Sequence, residues 1–135
     1  MIRAGRRHLV RTLADIAQQL GIAEQTLLNT GRHREPGFPR PLGAGRTRLY
    51  DAEQIAAYLD GRPVPALPDA DDDEDLLDRQ EAAALRGEST AVWDRRRQDP
   101  AVRAHTVVIC GVEHWPRHIV RDYTPPPRRR TAQGG

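Results

Sequence analysis

Apolar positions along the chain recur with two periods, and their alternation lays out two similar runs of elements. Leu13, Ile16, Ala17 and Leu20 fall at helical spacing and form one stripe. Thr12 and Asp15 head that stripe as a capping box, with Asp in place of the usual Glu. Gly21 closes it, because glycine takes the left-handed conformation without strain. Ile22 is expected to tuck into the core at the turn. A second helix is predicted over roughly 23–30, with Thr26 and Leu27 inward and Glu24, Gln25, Leu28 and Asn29 outward. Prolines at 36, 39 and 41 then favour extended chain. Gly43 and Gly45 mark a hairpin tip, and Arg46 to Tyr50 alternates as a half-buried strand should. Asp51 and Gln54 form another capping box, which opens a helix with Ile55, Tyr58 and Leu59 on its core face.

The second run begins at Leu76. Asp78 and Glu81 are capping-box-like, Ala82, Ala83 and Leu85 form the stripe, and Gly87 supplies the turn. Ser89 caps a helix from Thr90 to Arg97. Thr106 to Ile109 is the strongest strand signal, Cys110 and Gly111 turn it, and Val112 to Trp115 returns. Pro116 suits the first position of a last helix, with Ile119, Val120 and Tyr123 on the core. A shift of about 65 residues superposes Leu20 on Leu85, Leu27 on Val92, Tyr50 on Trp115, Ile55 on Val120 and Tyr58 on Tyr123. The turn itself fits a shift of 66, Gly21 on Gly87, and a one-residue indel inside the first helix reconciles the two.

Charge sharpens this picture. The net charge of +2 conceals three blocks. Residues 1–62 carry ten Arg against six acids, residues 63–82 one against eight, and residues 83–135 ten against five. Two basic blocks flanking an acidic one point to nucleic acid as a partner. Every basic residue other than histidine is Arg. The acidic stretch within residues 62–75, preceded by prolines 63, 65 and 68, reads as a solvated, extended tether. Residues 1–11 read either as a frayed basic terminus or as an arm contacting phosphates or the minor groove. Residues 125–135 read as a disordered basic tail. The single cysteine excludes an intramolecular disulfide. No stretch of about 18 apolar residues is present, so no membrane span is expected, and a cytoplasmic, nucleoid-associated location follows.

The segment Leu20-Gly-Ile-Ala-Glu-Gln-Thr-Leu27, then Gly37-Phe-Pro-Arg-Pro41, then Arg48-Leu-Tyr-Asp51, resembles the small winged helix-turn-helix proteins of the phage excisionase and AlpA type. These are themselves similar to the MerR-type DNA-binding domain. The resemblance covers about residues 10–60 and implies a second helix in the major groove and a hairpin wing against the minor groove or phosphates. The matching positions are Glu24, Gln25, Leu28 and Asn29 on the helix, with Arg46 and Arg48 on the wing. The family commonly places a Ser where Ala23 stands and a Trp where Thr30 stands.

The expected fold is mainly α with small β-hairpin wings, a tandem winged helix-turn-helix. Its units span 10–61 and 76–124, the second degenerate and joined by the linker 62–75. The expected function is sequence-specific binding of double-stranded DNA, as a transcriptional regulator or an excisionase-like accessory factor of a mobile element. Gln and Asn can pair with adenine and Arg with guanine. The candidate contacts are Glu24, Gln25, Leu28, Asn29, Arg32, Arg46 and Arg48, then Thr90, Asp94, Arg95 and Arg97. The alternative is an adaptor that uses one winged-helix unit to bind a protein partner, or self-association. No nucleophile–base pair or phosphate-cradling loop is evident, so neither catalysis nor a cofactor is expected. Cys110, His114 and His118 have a spacing that zinc can use, but they fall on a turn, a strand and a helix, so no metal is expected.

Overall fold

A computed structural model describes residues 1–127. It is mixed, with short helices and small antiparallel sheets. The first half contains β1 (Val10–Thr12), α1 (Leu13–Leu20), α2 (Glu24–Thr30), β2 (Leu49–Asp51) and α3 (Ala52–Leu59). The second contains β3 (Leu76–Leu77), α4 (Arg79–Arg86), α5 (Thr90–Arg96), α6 (Pro100–Arg103), β4 (Val107–Ile109), β5 (Val112–Pro116) and α7 (Arg117–Asp122). In each half the first strand pairs antiparallel with the strand that enters the last helix: β1 with β2, and β3 with β5. The hairpin partner β4 makes the second sheet three-stranded, in the order β3-β5-β4.

Local chemistry explains the helix ends. Thr12 and Asp15 exchange both capping-box bonds at the start of α1, and Asp78 and Glu81 do so at the start of α4. Asp51 caps α3, accepting from the Glu53 and Gln54 amides, while the Gln54 side chain turns away to the Pro65 carbonyl. Gly21 and Gly87 stand at φ 72° and 65°, and in both turns the next amide reaches back to Ala17 or Ala83. Ile22, whose amide closes that turn, remains at the surface rather than tucking into the core. Burying the adjacent Leu27 and Leu28 rotates Thr26 to solvent, so Thr26 faces out and Leu28 half-buries, the reverse of the expectation.

Three apolar clusters hold the chain. The first gathers Leu13, Ile16, Ala17, Leu27, Phe38, Tyr50 and Ile55, with Phe38 set edge-on to Tyr50 and Tyr58. The second gathers Leu77, Ala82, Ala83, Trp93, Val102, Trp115 and Val120, with the two tryptophan rings edge-on at 5.2 Å. The third joins Ile2, Val10 and Leu49 to Leu76 and Ile109. It lies between the halves, so they pack on each other.

Buried positions recur at an offset of 66 from Ile16/Ala82 and Ala17/Ala83 through Leu27/Trp93, and at 65 for Tyr50/Trp115 and Ile55/Val120. The missing residue therefore falls between the second helix and the last strand of the second half, not inside the first helix. Trp93, not Val92, answers Leu27, and Leu85 is exposed. Pro100 does not merely follow α5. It opens the additional α6, which Asp99 caps.

Two further expectations are corrected. Residues 1–11 are neither frayed nor a free arm. Ile2 is buried and bridges Leu76 through two backbone bonds of 2.9 and 2.8 Å, and Val10 to Thr12 is a paired strand. Arg6 clamps the buried Asp51 carboxylate at 2.8 and 3.0 Å. The acidic stretch is not a free tether either. Residues 62–68 run along the surface, but Asp75 is fully buried, taking Arg3, Arg117 and the amides of Ala4 and Asp72. Asp73 holds Arg121 at 2.7 Å. Carboxylates that repel one another when solvated are ordered here by opposing guanidiniums.

Candidate nucleic-acid interface

Helix α2 presents Glu24, Gln25 and Asn29 to solvent. Its cap, Ala23, supplies no side-chain bond. Gln25 Nε2 donates to Asn29 Oδ1 at 2.9 Å one turn away, which fixes both amides on the outer face. Leu28, placed outward from the sequence, half-buries against the first core.

A 3₁₀ turn over Arg32–Arg34 follows α2. Its middle residue, His33, is buried, while Arg32 is half-buried and Arg34 exposed. Burial first, then Arg48 and Arg34, push the His33 pKa down, which keeps the imidazole neutral beside two guanidiniums. Arg32 lies over the Tyr58 ring at 5.6 Å.

The expected wing strand at 46–48 is absent. Leu42 N–H donates to the Leu49 carbonyl at 2.7 Å, and the residues between form a loop. Pro39 and Pro41 lack donors for a ladder, so β2 finds its partner in Val10–Thr12 instead. Arg46 and Arg48 are exposed on or beside this loop. Among the described residues, Arg32, Arg34, Arg40, Arg46 and Arg48 have no carboxylate within 4.0 Å. Arg34 and Arg40 were not among the sequence-derived contacts. For Arg34 the available signal was the Arg-His-Arg run straight after Gly31.

The corresponding face of α5 is different. Asp94 receives Arg79 at 2.7 Å through both oxygens, and Arg79 holds its carboxyl below the usual range. Arg97 donates to Glu113 at 2.7 Å, and Arg96 approaches Glu88 at 3.3 Å. Thr90 is half-buried, and of the four candidates Arg95 alone is fully exposed. The second hairpin, β4–β5, forms as expected, but its inner residues Val107, Ile109 and Val112 pack in the cluster between the halves.

Residues from the two halves meet in one cleft of about 540 Å³, where Leu42 and Arg46 face Arg79, Arg97, Glu113 and His114. The structure thus gathers Gln25 with Asn29, and Arg46 with Arg97, while Asp94 is drawn into an ion pair. Cys110 is exposed, His114 binds the Val112 carbonyl and His118 the Asp73 carbonyl. Among the described residues no cluster of His, Cys, Asp or Glu is suited to a metal, and no helix is long and apolar enough to cross a membrane. The tail arginines 128–130 lie outside the described residues. Comparison of the chain with protein-family models, curated proteins and solved structures gives no match.

Proposed function

We propose that this chain binds double-stranded DNA through two winged-helix-like units, the first of which reads sequence. The observation that carries this reading is the set of arginines at 32, 34, 40, 46 and 48, without a carboxylate partner among the described residues, in the turn and loop that follow the exposed amides of α2. Elsewhere Arg3, Arg6, Arg62, Arg79, Arg86, Arg96, Arg97, Arg117 and Arg121 each meet a carboxylate, while Arg7, Arg11, Arg95 and Arg103 meet none among the described residues but are scattered over the chain. Guanidiniums that fold without a partner beside a polar helix suit phosphates flanking a groove. Gln25 and Asn29 would then meet base edges.

The repeated order of strand, helix, glycine turn, helix, strand and helix supports the tandem reading. The role would be that of a regulator or of an accessory factor for a mobile element, at the nucleoid. The ion-paired face of α5 favours a second reading for the second half, contact with a protein partner.

Salt titration tests the proposal. Affinity for duplex DNA should fall with salt by about 0.9 log unit per log unit of salt for each phosphate neutralised. Replacing Arg34 and Arg48 with Ala should flatten that slope by about two units. Binding that ignores salt, or an unchanged slope in the double variant, would sink the reading.

A further inference from the structure

We propose that the cleft between the two halves is a ligand site, and that it takes a small organic monoanion with an apolar body and a hydrogen-bond donor at its far end. The site does not depend on the DNA reading; only its effect on duplex affinity rests on that reading.

Both halves build the cleft. The first contributes the loop from Leu42 to Leu49, which the Leu42 N–H closes on the Leu49 carbonyl at 2.7 Å. The second contributes the start of α4, Arg97 at the end of α5, and strand β5. The two walls meet where Gly43 lies against Asp78, so closely that a Cβ would stand 2.6 Å from Asp78 Oδ2. Ile2, Leu49 and Trp115, all buried, and the half-buried Leu42 and Val112 supply the apolar lining. A mixed cavity of about 540 Å³ at a junction between units falls within the roughly 300–1,000 Å³ of small-molecule sites.

The polar lining selects the ligand. Arg79 gives Nε and Nη2 to Asp94, both at 2.7 Å, and Arg97 gives Nη1 to Glu113 at 2.7 Å, so the second half answers those two charges itself. Arg46 is exposed, and of the guanidiniums that line the cleft it alone has no carboxylate partner among the described residues. One unanswered cation calls for one negative charge. The opposite need arises at His114, which is 2% exposed and sets Nδ1 at 2.9 Å from the Val112 carbonyl. A carbonyl only accepts, so Nδ1 carries the proton, and burial keeps the ring neutral. Nε2 is then an acceptor, and no donor among the described residues reaches it. The antiparallel register of Leu77 with Trp115 brings Asp78 beside His114, so a carboxylate also stands at this end. A ligand hydroxyl can donate here while the ligand carboxylate meets Arg46. The reverse orientation sets one carboxylate against another. Arg46 is also one of the guanidiniums assigned to phosphates, so an occupied cleft and a bound duplex compete for it.

Calorimetric titration of the intact protein with para-hydroxyphenylacetate, ω-hydroxyoctanoate and hydroxynaphthoate tests the site, beside the same acids without the hydroxyl and the methyl esters of all three. At least one hydroxy acid should bind with Kd below ~1 mM. Its hydroxyl-free acid and its ester should each bind about tenfold more weakly. Arg46→Met should abolish the preference for acid over ester, and His114→Phe the preference for the hydroxyl, each leaving the other preference in place. If His114→Phe does not fold, Arg46→Met decides alone, because Arg46 is exposed and lies in no apolar cluster. No binding by any of the three acids, an ester equal to its acid, or an acid preference that survives Arg46→Met would overturn the site. The bound acid should weaken duplex affinity of the wild type about fivefold, and that of Arg46→Met by less than about twofold. Unchanged wild-type affinity would overturn the competition. Absence of duplex binding without ligand would overturn the DNA reading and leave the ligand site standing.

Discussion

Helices α2 and α5 each follow an eight-residue helix through a left-handed glycine, and each seats one large side chain, Leu27 or Trp93, at 0% exposure. Their outer faces diverge. The arginines that follow α2, at 32, 34, 40, 46 and 48, have no carboxylate partner among the described residues, and two amides on the helix hold each other in place. Around α5 the charges close on one another, Arg79 with Asp94 and Arg97 with Glu113. The same backbone plan thus leaves the guanidiniums that follow α2 free of carboxylate partners among the described residues and closes most charges around α5 into ion pairs, Arg95 excepted. Packing settles where a helix sits, and the partners of its outer charges settle what it can meet.

Four sets of substitutions test this difference between the two faces. The largest effect is expected from Trp93→Ala, which empties the core beneath α5. It should cost about 3–5 kcal/mol, measured by chemical denaturation, and should unfold the second half first. An equal loss of signal from Tyr50 would show instead that the halves unfold as one.

Next is Asp75→Ala, which removes the buried carboxylate shared by Arg3 and Arg117 and leaves them only the exposed Asp71; it should cost about 3 kcal/mol, the low end for breaking a buried pair. The wild type should report the same group through pH. Burial pushes the Asp75 carboxyl upward, but the amides of Asp72 and Ala4 and the Arg3 guanidinium outweigh it and hold it low. A depressed carboxyl stabilises the fold above its unfolded value, about 3.9, and that share is lost as pH falls through the folded value. The variant should therefore show a flatter decline of stability in acid. An identical decline would place the acid sensitivity elsewhere.

A smaller effect tests the open face. Gln25→Ala or Asn29→Ala should change preference by about 1–3 kcal/mol at one or two base pairs, with affinity for random duplex held. Uniform weakening on all duplexes would make these residues backbone contacts.

The smallest effect compares the two caps. Ser89 accepts from the Val92 amide at 3.2 Å, whereas Ala23 offers nothing. Ser89→Ala should destabilise by about 1 kcal/mol, and Ala23→Ser should stabilise by a similar amount. If Ala23→Ser also tightens DNA binding, the loose start of α2 is a cost to binding. If it weakens binding, that looseness is used.

Much of the secondary structure was legible because its causes are local. Thr12 with Asp15, Asp78 with Glu81, Gly21, Gly87 and Ser89 act within about four residues, and all five took the predicted roles. The hairpin turned by Cys110 and Gly111 was equally local. The first wing failed because its strand needed a partner. Prolines at 39 and 41 withheld one nearby, and Val10–Thr12 supplied it from far along the chain.

Sequence alone set where α1, α3, α4 and α5 begin, where glycine ends α1 and α4, and much of what fills the two cores, such as Leu13, Ile16, Ala17, Leu27 and Ile55. Those follow from backbone propensity and hydrophobic spacing, which act over neighbouring residues. Tertiary structure alone decided the rest. The basic arm was tied down by the Ile2–Leu76 bridge and the paired strand Val10–Thr12, and the acidic stretch became a counter-charge for Arg3, Arg117 and Arg121. It also decided which arginines of the two candidate faces remain open. An ion pair such as Arg97 with Glu113 joins residues 16 apart, and Arg117 with Asp75 joins residues 42 apart. No periodicity registers such partners, because a charge is neutralised by what folding brings near it, not by what precedes it in the chain.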